Sequence, residues 1–335
     1  MKKFYFFVLC LTVSVVVYGA TIPRAILSHD GVLTQYDAAH WQDAITNAVD
    51  GDIVYFTPGD FHGAITITKA ITLIGAGISA TDAFYASSET LSNVYNGCAT
   101  TGVSTKIFGN ITIAIPGGVT LTKPLMVGIC VTCIPGYARS SLFVTESVTG
   151  LTIKRCQFEG TGYSMGGGEF NPQATVTNMT LENCYIYNLQ CANLVNPTIR
   201  NCYIDELHNV PEGLSFTNSV VLGIGQSTQN CTFINCIVHG GYESNHNIFN
   251  YCLHRDNDAT STYNGGATEY DPQAITKSQM ITNNYYGNDN TVIGPLGGPA
   301  PFTFKPSQPY VASSALNYNA TTKKLNVTMT INKGE

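Results

Sequence analysis

The eight-residue stretch MTLENCYI, residues 179–186, recurs along the middle of the chain and decides the fold. Its copies are LTIKRCQF at 151–158, PTIRNCYI at 197–204, LSFTNSVV at 214–221 and CTFINCIV at 231–238. A looser copy surrounds Cys252, and a faint one begins at Met280. The cysteine position advances by 28, 18, 17, 17 and 16 residues from copy to copy. This regular period indicates stacked repeats, because one such unit cannot bury its apolar face alone.

The apolar spacing inside each copy indicates a corner in the strand. Ile199 and Cys202 are three residues apart, whereas Cys202 and Ile204 are two apart. A straight strand requires two and two, so one extra residue turns the chain. Asn tolerates the left-handed conformation that a sharp bend needs, and it occupies the corner in five copies: Asn183, Asn201, Asn218, Asn235 and Asn283. We expect these side chains to bond to one another along the stack.

The cysteines of the repeats form one predicted interior column. Its members are Cys156, Cys184, Cys202, Ser219 and Cys236. Neighbouring repeats, about 4.8 Å apart, would hold these side chains parallel rather than facing, which favours buried free thiols over disulfides. Cys130 and Cys133 form a CxxC, and a repeat corner is favoured there over a redox or zinc site. The disulfide state of Cys98, Cys130, Cys133, Cys191 and Cys231 stays open.

The first residues and the charge balance predict an exported protein. Lys2 and Lys3 precede an apolar run from Phe4 to Tyr18, which is typical of a signal peptide spanning residues 1–19. The chain carries 16 basic and 22 acidic residues without a basic cluster, which argues against nucleic acid as a partner. No second hydrophobic segment approaches membrane-spanning length, so we expect no membrane insertion. The periplasm, the outer cell surface and the medium remain equally open locations.

The residues before the repeats resemble a known structural family. An amphipathic helix from Ala38 to Val49, capped by Asp37, is followed by GDIVYFTPG at 51–59 and ITITKAITLIGAG at 65–77. This segment resembles the opening of right-handed parallel β-helix proteins of the pectate-lyase-like superfamily. It is also similar to secreted β-helix proteins of Bacteroidetes that lack an assigned activity. The resemblance implies an all-β, right-handed parallel β-helix with an N-terminal capping helix, but no single function.

Three segments are expected from the sequence. Residues 1–19 form the signal peptide, residues 20–290 the parallel β-helix with its N-terminal cap, and residues 291–335 a C-terminal cap. The last segment starts rich in Pro and Gly and ends in LNVTMTI at 325–331, whose alternation predicts a strand. Whether that strand pairs within this chain or with a partner is left open.

One face of the predicted β-helix is a candidate ligand-binding surface. Insertions at 160–174 and 255–274 interrupt the period at equivalent places and would flank a groove. Two columns between them are expected to be exposed: Gln157, Tyr185, Tyr203, Val220 and Ile237 in one, and Glu159, Tyr187, Asp205, Leu222 and His239 in the other. Tyr rings cover sugar faces well, which predicts a glycan site of Tyr185, Tyr187 and Tyr203, with Tyr163 and Tyr263 on the insertions. Alternatively, the tyrosines only shield the strands.

The same face contains the best candidate catalytic residues. Glu159 and Asp205 would lie two repeats apart, about 9.6 Å, at the far edge of the separation in inverting glycosidases. His239 is a candidate for assisting proton transfer. Calcium is weakly suggested by Asp256, Asp258 and Asp271, but their spacing is not that of an EF-hand and a solvated loop is favoured. We therefore expect no metal or other cofactor.

Two functions follow from these residues. The first is an exported protein that binds a polysaccharide or cell-surface glycan through its tyrosine-bearing face, or serves as a cell-surface scaffold or adhesin. The alternative is a polysaccharide hydrolase or lyase that uses Glu159 and Asp205 in the same groove. A separate column of Lys154, Glu182 and Arg200 is explained by ion pairing between adjacent strands without any function.

Overall fold

A computed structural model describes most of the repeat region and both of its flanks. The described residues are 23–78, 104–132, 141–158, 169–224, 228–239, 246–254, 260–265, 268–269, 277–302, 310–319 and 324–332. Several predicted features lie outside them, namely the signal peptide, Cys98, Cys133, Glu159, Tyr163, Asp256, Asp258 and Asp271. Within the described part of the chain, no helix is long and apolar enough to cross a membrane.

The described residues form 31 strands and two helices. The first strands in chain order are β1 (Arg24–His29), β2 (Val32–Asp37), β3 (Ile53–Phe56), β4 (Gly59–His62), β5 (Ile65–Ile67), β6 (Thr72–Ile74), β7 (Thr105–Phe108), β8 (Ile111–Ile113), β9 (Met126–Val127), β10 (Cys130–Thr132), β11 (Ser141–Val144), β12 (Val148–Thr149), β13 (Thr152–Lys154), β14 (Gln157–Phe158), β15 (Glu169–Pro172) and β16 (Val176–Thr177). The later strands are β17 (Thr180–Glu182), β18 (Tyr185–Gln190), β19 (Leu194–Val195), β20 (Thr198–Arg200), β21 (Tyr203–His208), β22 (Ser215–Thr217), β23 (Val220–Ile224), β24 (Thr232–Ile234), β25 (Ile237–Val238), β26 (Ile248–Asn250), β27 (Leu253–His254), β28 (Thr262–Asn264), β29 (Thr268–Glu269), β30 (Tyr310–Asn319) and β31 (Lys324–Asn332). The helices are α1 (Trp41–Asn47) and α2 (Lys277–Thr282).

Two long sheets dominate the structure, and their strands are parallel except at β1, which pairs antiparallel with β2 and β3. The first has 12 strands in the order β2-β1-β3-β6-β9-β13-β17-β20-β22-β24-β26-β28. The second has 14 strands, and its main path is β4-β7-β10-β14-β18-β21-β23-β25-β27-β29. A third, three-stranded parallel sheet is formed by β12-β16-β19. The chain returns to the first sheet at regular intervals, and we call each such turn of the chain a rung. The protein is all-β with parallel pairing between rungs, which is consistent with the parallel β-helix expected from the sequence.

The strand registers reproduce the alignment of the sequence repeats. Leu181 pairs with Ile199, Ile199 with Phe216, and Phe216 with Phe233. In the second sheet, Ile186 pairs with Ile204, which pairs with Val221. Buried residues therefore lie above buried residues from rung to rung, and a single core runs along the stack.

The predicted asparagine corner is present, and a second corner was missed. Asn183, Asn201, Asn218 and Asn235 are left-handed, with φ between +47° and +56°, as are Arg155 and Tyr251 on neighbouring rungs. The prediction for Asn283 is wrong, because helix α2 replaces a rung there and Asn284 is left-handed instead. The second corner lies two residues before β13, β17, β20, β22, β24 and β26 of the first sheet, at Gly150, Asn178, Asn196, Gly213, Asn230 and His246. Asn or Gly recurs at this position with the period of the repeats, and this recurrence could have predicted the second corner from the sequence.

The interior cysteine column is confirmed. Cys156, Cys184, Cys202, Cys236 and Cys252 are free and fully buried. Each thiol donates to the carbonyl oxygen two residues earlier, as Cys202 does to Arg200 O at 3.2 Å and Cys236 to Ile234 O at 3.2 Å. Ser219 makes the equivalent bond to Thr217 O at 2.9 Å, which explains why serine fits this position.

The CxxC cysteine within the described residues is not at a corner. Gly128 takes the left-handed corner, with a φ of +68°. Cys130 lies in β10, in register with Gln157 on the outward side of the second sheet, and is buried. The prediction of a corner was wrong because glycine, rather than cysteine, supplies the conformation there.

The N-terminal end of the stack is closed as predicted, with two differences. Trp41 of α1 is fully buried and meets Phe56 and Phe61 edge to face, at centroid distances of 5.9 and 5.7 Å. The helix is shorter than predicted: it begins at Trp41 with His40 rather than Asp37 at its N-cap, and it stops at Asn47, since Ala48 is extended. Val49 is exposed rather than on the apolar face. The antiparallel hairpin β1–β2 also precedes the first parallel strand and was not expected.

The C-terminal strand has its partner within the chain. β31 covers the predicted segment and pairs antiparallel with β30, in a separate two-stranded sheet. Before this hairpin, residues 277–302 return along the outer face of the second sheet and begin before the boundary at residue 291 that the sequence suggested. We call residues 277–302 the cap segment.

Candidate ligand-binding surface

The first outward column of the second sheet is covered rather than exposed. We call Tyr185, Tyr203, Val220, Ile237 and Leu253, which lie in register on successive strands, the covered column. The Tyr185 and Tyr203 rings stack at 5.2 Å as the sequence suggested, but only 4% and 2% of these residues is exposed. The prediction that the two rings are exposed is wrong.

The cap segment is what covers this column. Met280 and Ile293 are buried against it, and Tyr285 and Leu296 pack at the margin. The hydrophobic effect favours this contact, since an apolar column in water would cost roughly 25 cal/mol for each Å² left exposed. Tyr185 and Tyr203 consequently offer no open ring face to a sugar. The alternative weighed from the sequence, that the tyrosines shield the strands, describes the observed contacts.

The corner asparagines hold the cap segment in place. Asn201 Nδ2 donates to Pro295 O at 3.1 Å and to Gly297 O at 2.6 Å. Asn218 Nδ2 donates to Asp289 Oδ2 at 3.3 Å. We expected the corner asparagines to bond to one another, and for Asn201 and Asn218 the cap segment provides the partners instead.

Glycines allow the cap segment to approach the sheet closely. Gly294 has a φ of +89°, and a Cβ there would lie 2.7 Å from Ile237 Cδ1. At Gly287 a Cβ would lie 2.4 Å from Asn235 Cγ. These glycines of the cap segment thus permit its close contact with the second sheet.

The second outward column is open, as expected. Tyr187, Asp205, Leu222 and His239 are all partly exposed, and Leu222 also touches the edge of the covered cluster. The pKa of Tyr187 is raised above its usual value, first by partial burial and then by the negative charges of Asp205 and Glu206. Both carboxylates therefore act electrostatically on this phenol.

A bend in three strands places further polar residues beside this column. In β18 the residues that face the interior core are Ile186 and Leu189, so Tyr187 and Asn188 lie consecutively on the outside. The same three-residue spacing recurs at Ile204 and Leu207 in β21 and at Val221 and Ile224 in β23. This spacing was visible in the sequence and would have revealed the bend. We call Tyr187, Asn188, Asp205, Glu206 and His208 the polar corner.

Hydrogen bonds connect Asn188, Glu206 and His208 within the polar corner. His208 Nε2 lies 3.1 Å from Glu206 Oε2. With its amide oriented to donate, Asn188 places a nitrogen 3.0 Å from the same carboxylate oxygen. Asn188 and Glu206 are in register, and Glu169 precedes them in the same row on β15. The surface therefore combines a phenol, an amide, carboxylates and an imidazole on adjacent rungs.

The predicted catalytic set is only partly described. Asp205 and His239 lie in one column, two rungs or about 9.6 Å apart at ordinary strand spacing. Glu159, the proposed partner of Asp205, lies outside the described residues, so the carboxylate pair stays a prediction. In the described part of the chain, no group of three or more His, Cys, Asp or Glu residues could hold a metal ion.

Tyr263 belongs to an interior aromatic row and not to a groove wall. Its ring stacks on Phe249 at 5.1 Å, and Phe249 and Phe216 each stack on Phe233 at the same distance. Tyr263 is the partly buried last member of this row, in register with Phe249. The prediction of a wall residue is corrected because the chain enters strand β28 there.

The column of alternating charges pairs as expected. Glu182 Oε1 lies 3.0 Å from Lys154 Nζ, and Arg200 Nε donates to Glu182 Oε2 at 2.8 Å. Burial raises the pKa of Glu182, but hydrogen bonds from Arg200 and Lys154 outweigh it and leave the pKa below its usual value. This cluster is satisfied internally and needs no ligand.

Comparisons with protein-family models, curated proteins and solved structures found no match to this chain. No relative therefore supplies a ligand or a reaction for the polar corner. Its chemistry rests on the side chains that the bend in β18 and β21 brings together.

Proposed function

We propose that this protein is an exported right-handed parallel β-helix that binds a polysaccharide through the polar corner. The regular period of the cysteine repeats and the parallel pairing of successive rungs support the β-helix. The charged and apolar residues at the start of the sequence support export. The proposed ligand surface is the polar corner, which lies one column away from the covered residues Tyr185 and Tyr203.

The observation that carries this proposal is the side-by-side placement of Tyr187 and Asn188 with Asp205 and Glu206. Sugar hydroxyls both donate and accept hydrogen bonds, and these side chains offer amide donors, carboxylate acceptors and a phenol that does both. The Tyr187 ring adds an apolar face for a sugar ring. Because the residues sit on paired strands of one sheet, little conformational entropy would be lost on binding.

Affinity electrophoresis through gels that contain soluble polysaccharides tests the proposal. The panel includes neutral, uronic-acid and amino-sugar polymers, and the proteins are the native chain, Tyr187→Ala and Glu206→Gln. We expect at least one polymer to retard the native chain and each substitution to weaken the retardation about tenfold, the size of effect for a residue at the centre of a binding surface.

The matched control is Glu212→Gln, which makes the same chemical change at an exposed turn before β22. It should leave retardation unchanged. Retardation that survives both Tyr187→Ala and Glu206→Gln would place the ligand elsewhere and refute the polar corner. Release of reducing ends that Asp205→Asn abolishes would instead indicate a polysaccharide hydrolase or lyase, the alternative weighed from the sequence.

A cell-surface scaffold is the second candidate, and the covered column favours it. The cap segment covers the stacked rings of Tyr185 and Tyr203 from within the chain, which withdraws these ring faces from external ligands. A scaffold would bind none of the panel polymers, and fractionation of the producing cells would recover it at the outer surface. Retardation by one polymer that depends on Tyr187 would exclude a purely structural role.

A further inference from the structure

The C-terminal hairpin stands apart from the two long sheets. Among the described residues, β30 and β31 pair only with each other. A two-stranded hairpin alone is marginally stable in water, and three or more strands are usually needed. The hairpin therefore calls for a further strand.

The outer edge of β31 lacks the usual protection against pairing. Its sequence, KLNVTMTIN, has no proline and a single charge, Lys324 at its first position. Natural edge strands are commonly blunted by charges, prolines or bulges, because a regular edge recruits other strands. An uncharged alternating segment of this kind is an aggregation hazard when it is left unpaired.

The other strand of the hairpin is less suited to recruit a partner. The register of β30 shifts between Val311 and Ser313, which is the mark of a bulge. A bulge disrupts the hydrogen-bonding row and twists the edge away from a neighbour. In contrast, β31 has no extra residue, since all nine of its residues from Lys324 to Asn332 are paired consecutively. Of the two outer edges of the hairpin, the edge of β31 is therefore the more suitable for pairing with another strand.

We propose that β31 pairs antiparallel with β31 of a second copy of this chain, around a twofold axis at Thr328. Thr328 is the middle residue of Lys324–Asn332. A pairing centred there sets Val327 opposite Met329 and Leu325 opposite Ile331, so apolar residue types meet across the axis, and Asn326 meets Thr330. The same segment is complementary to itself, as a closed isologous dimer requires.

The resulting sheet would account for two features of the hairpin: its two strands alone are too few for stability, and only its β31 edge is regular. It has four strands, enough for independent stability, and its two outer edges are the irregular β30 strands. Growth beyond two copies is thereby blocked. This dimer is independent of the polar corner, and neither proposal depends on the other.

The test is the molar mass of the full chain in solution, measured by sedimentation equilibrium across a hundredfold range of concentration. We expect the native chain to be a dimer. Thr328→Lys should give a monomer, because the two lysines would face each other across the axis. Thr328→Asp should do the same, and an equimolar mixture of the two variants should recover dimers. Asn317→Lys in β30 is the matched control and should remain dimeric.

A second measurement covers the case in which a charged variant fails to fold. Thr328→Cys should cross-link to its own copy under mild oxidation and run at twice the mass on a non-reducing gel, whereas Asn317→Cys should not. A monomeric native chain, a dimer that persists in folded Thr328→Lys, or equal cross-linking of both cysteine variants would overturn the proposal.

Discussion

Asn235 and Asn288 bond to each other twice. Asn235 Nδ2 donates to Asn288 Oδ1 at 2.9 Å, and the Asn288 backbone N donates to Asn235 Oδ1 at 3.0 Å. One residue thus serves two purposes, since Asn235 also supplies the left-handed corner with a φ of +53°. The period of the stack and the attachment of the cap segment depend on the same side chain.

Asn235→Gly separates these two purposes, because glycine keeps the left-handed conformation and removes only the amide. We expect a loss of about 1–3 kcal/mol in the free energy of unfolding, the cost of a broken buried hydrogen-bond pair. Hydrogen exchange should accelerate selectively at residues 287–297. Asn230→Gly is the control, since Asn230 is also left-handed but exposed. Equal exchange rates in both variants would contradict the role of Asn235 in holding the cap segment.

Gly294→Ala should loosen the cap segment by steric conflict. The new Cβ would lie 2.7 Å from Ile237 Cδ1, and the φ of +89° is strained for alanine. We expect easier quenching of tyrosine fluorescence by acrylamide as Tyr185 and Tyr203 become exposed. Gly117→Ala is the control, because a Cβ there meets nothing within 4 Å. If quenching is the same in both variants, the covered column does not depend on close approach at Gly294.

The thiol column should be chemically silent in the folded protein. Burial raises the pKa of Cys156, Cys202 and Cys252, and the thiolate is the reactive form. Alkylation followed by mass spectrometry should leave these residues unlabelled in the native protein and label them in denaturant. Labelling of Cys202 under native conditions at a rate close to that in denaturant would show that the column opens.

Substitutions at Cys202 should follow the precedent of Ser219. Cys202→Ser keeps a donor for Arg200 O and should change the free energy of unfolding by no more than about 1 kcal/mol. Cys202→Val adds volume to a close-packed column and should cost about 1–3 kcal/mol. Chemical denaturation measures both, and a serine variant that is less stable than the valine variant would contradict this account.

Glu182→Gln should reduce stability in a pH-dependent way. The carboxylate is hydrogen-bonded to two cations, and its loss should cost about 1–2 kcal/mol at pH 7, between the values for exposed and buried ion pairs. Because the folded pKa is lowered, this contribution is present above the unfolded value of about 4.3 and disappears as pH falls through the folded pKa. Denaturation curves should therefore differ at pH 7 and converge in acid. A constant difference would show that the charge is not responsible.

The repeats predicted much of the fold because each rung is a local pattern. The three-residue step from Ile199 to Cys202 located the first corner, and the tolerance of Asn for left-handed backbone gave it a physical cause. The same three-residue step from Ile204 to Leu207 marks the bend beneath the polar corner, which was not predicted from the sequence. Both signals are short-range, since they depend on which side chains of one strand face the core.

The sequence by itself determined the period, the buried thiols, the ion-paired Glu182 and the alternation that became β31. Only the tertiary structure decided that Tyr185 and Tyr203 are covered, because their cover comes from Met280 and Ile293, far away along the chain. Alternation in a strand distinguishes its two faces but does not say whether the outer face meets water or another segment. The outer face of the second sheet is covered because the cap segment returns over it. The hydrophobic effect favours this contact, and hydrogen bonds from the corner asparagines stabilise it.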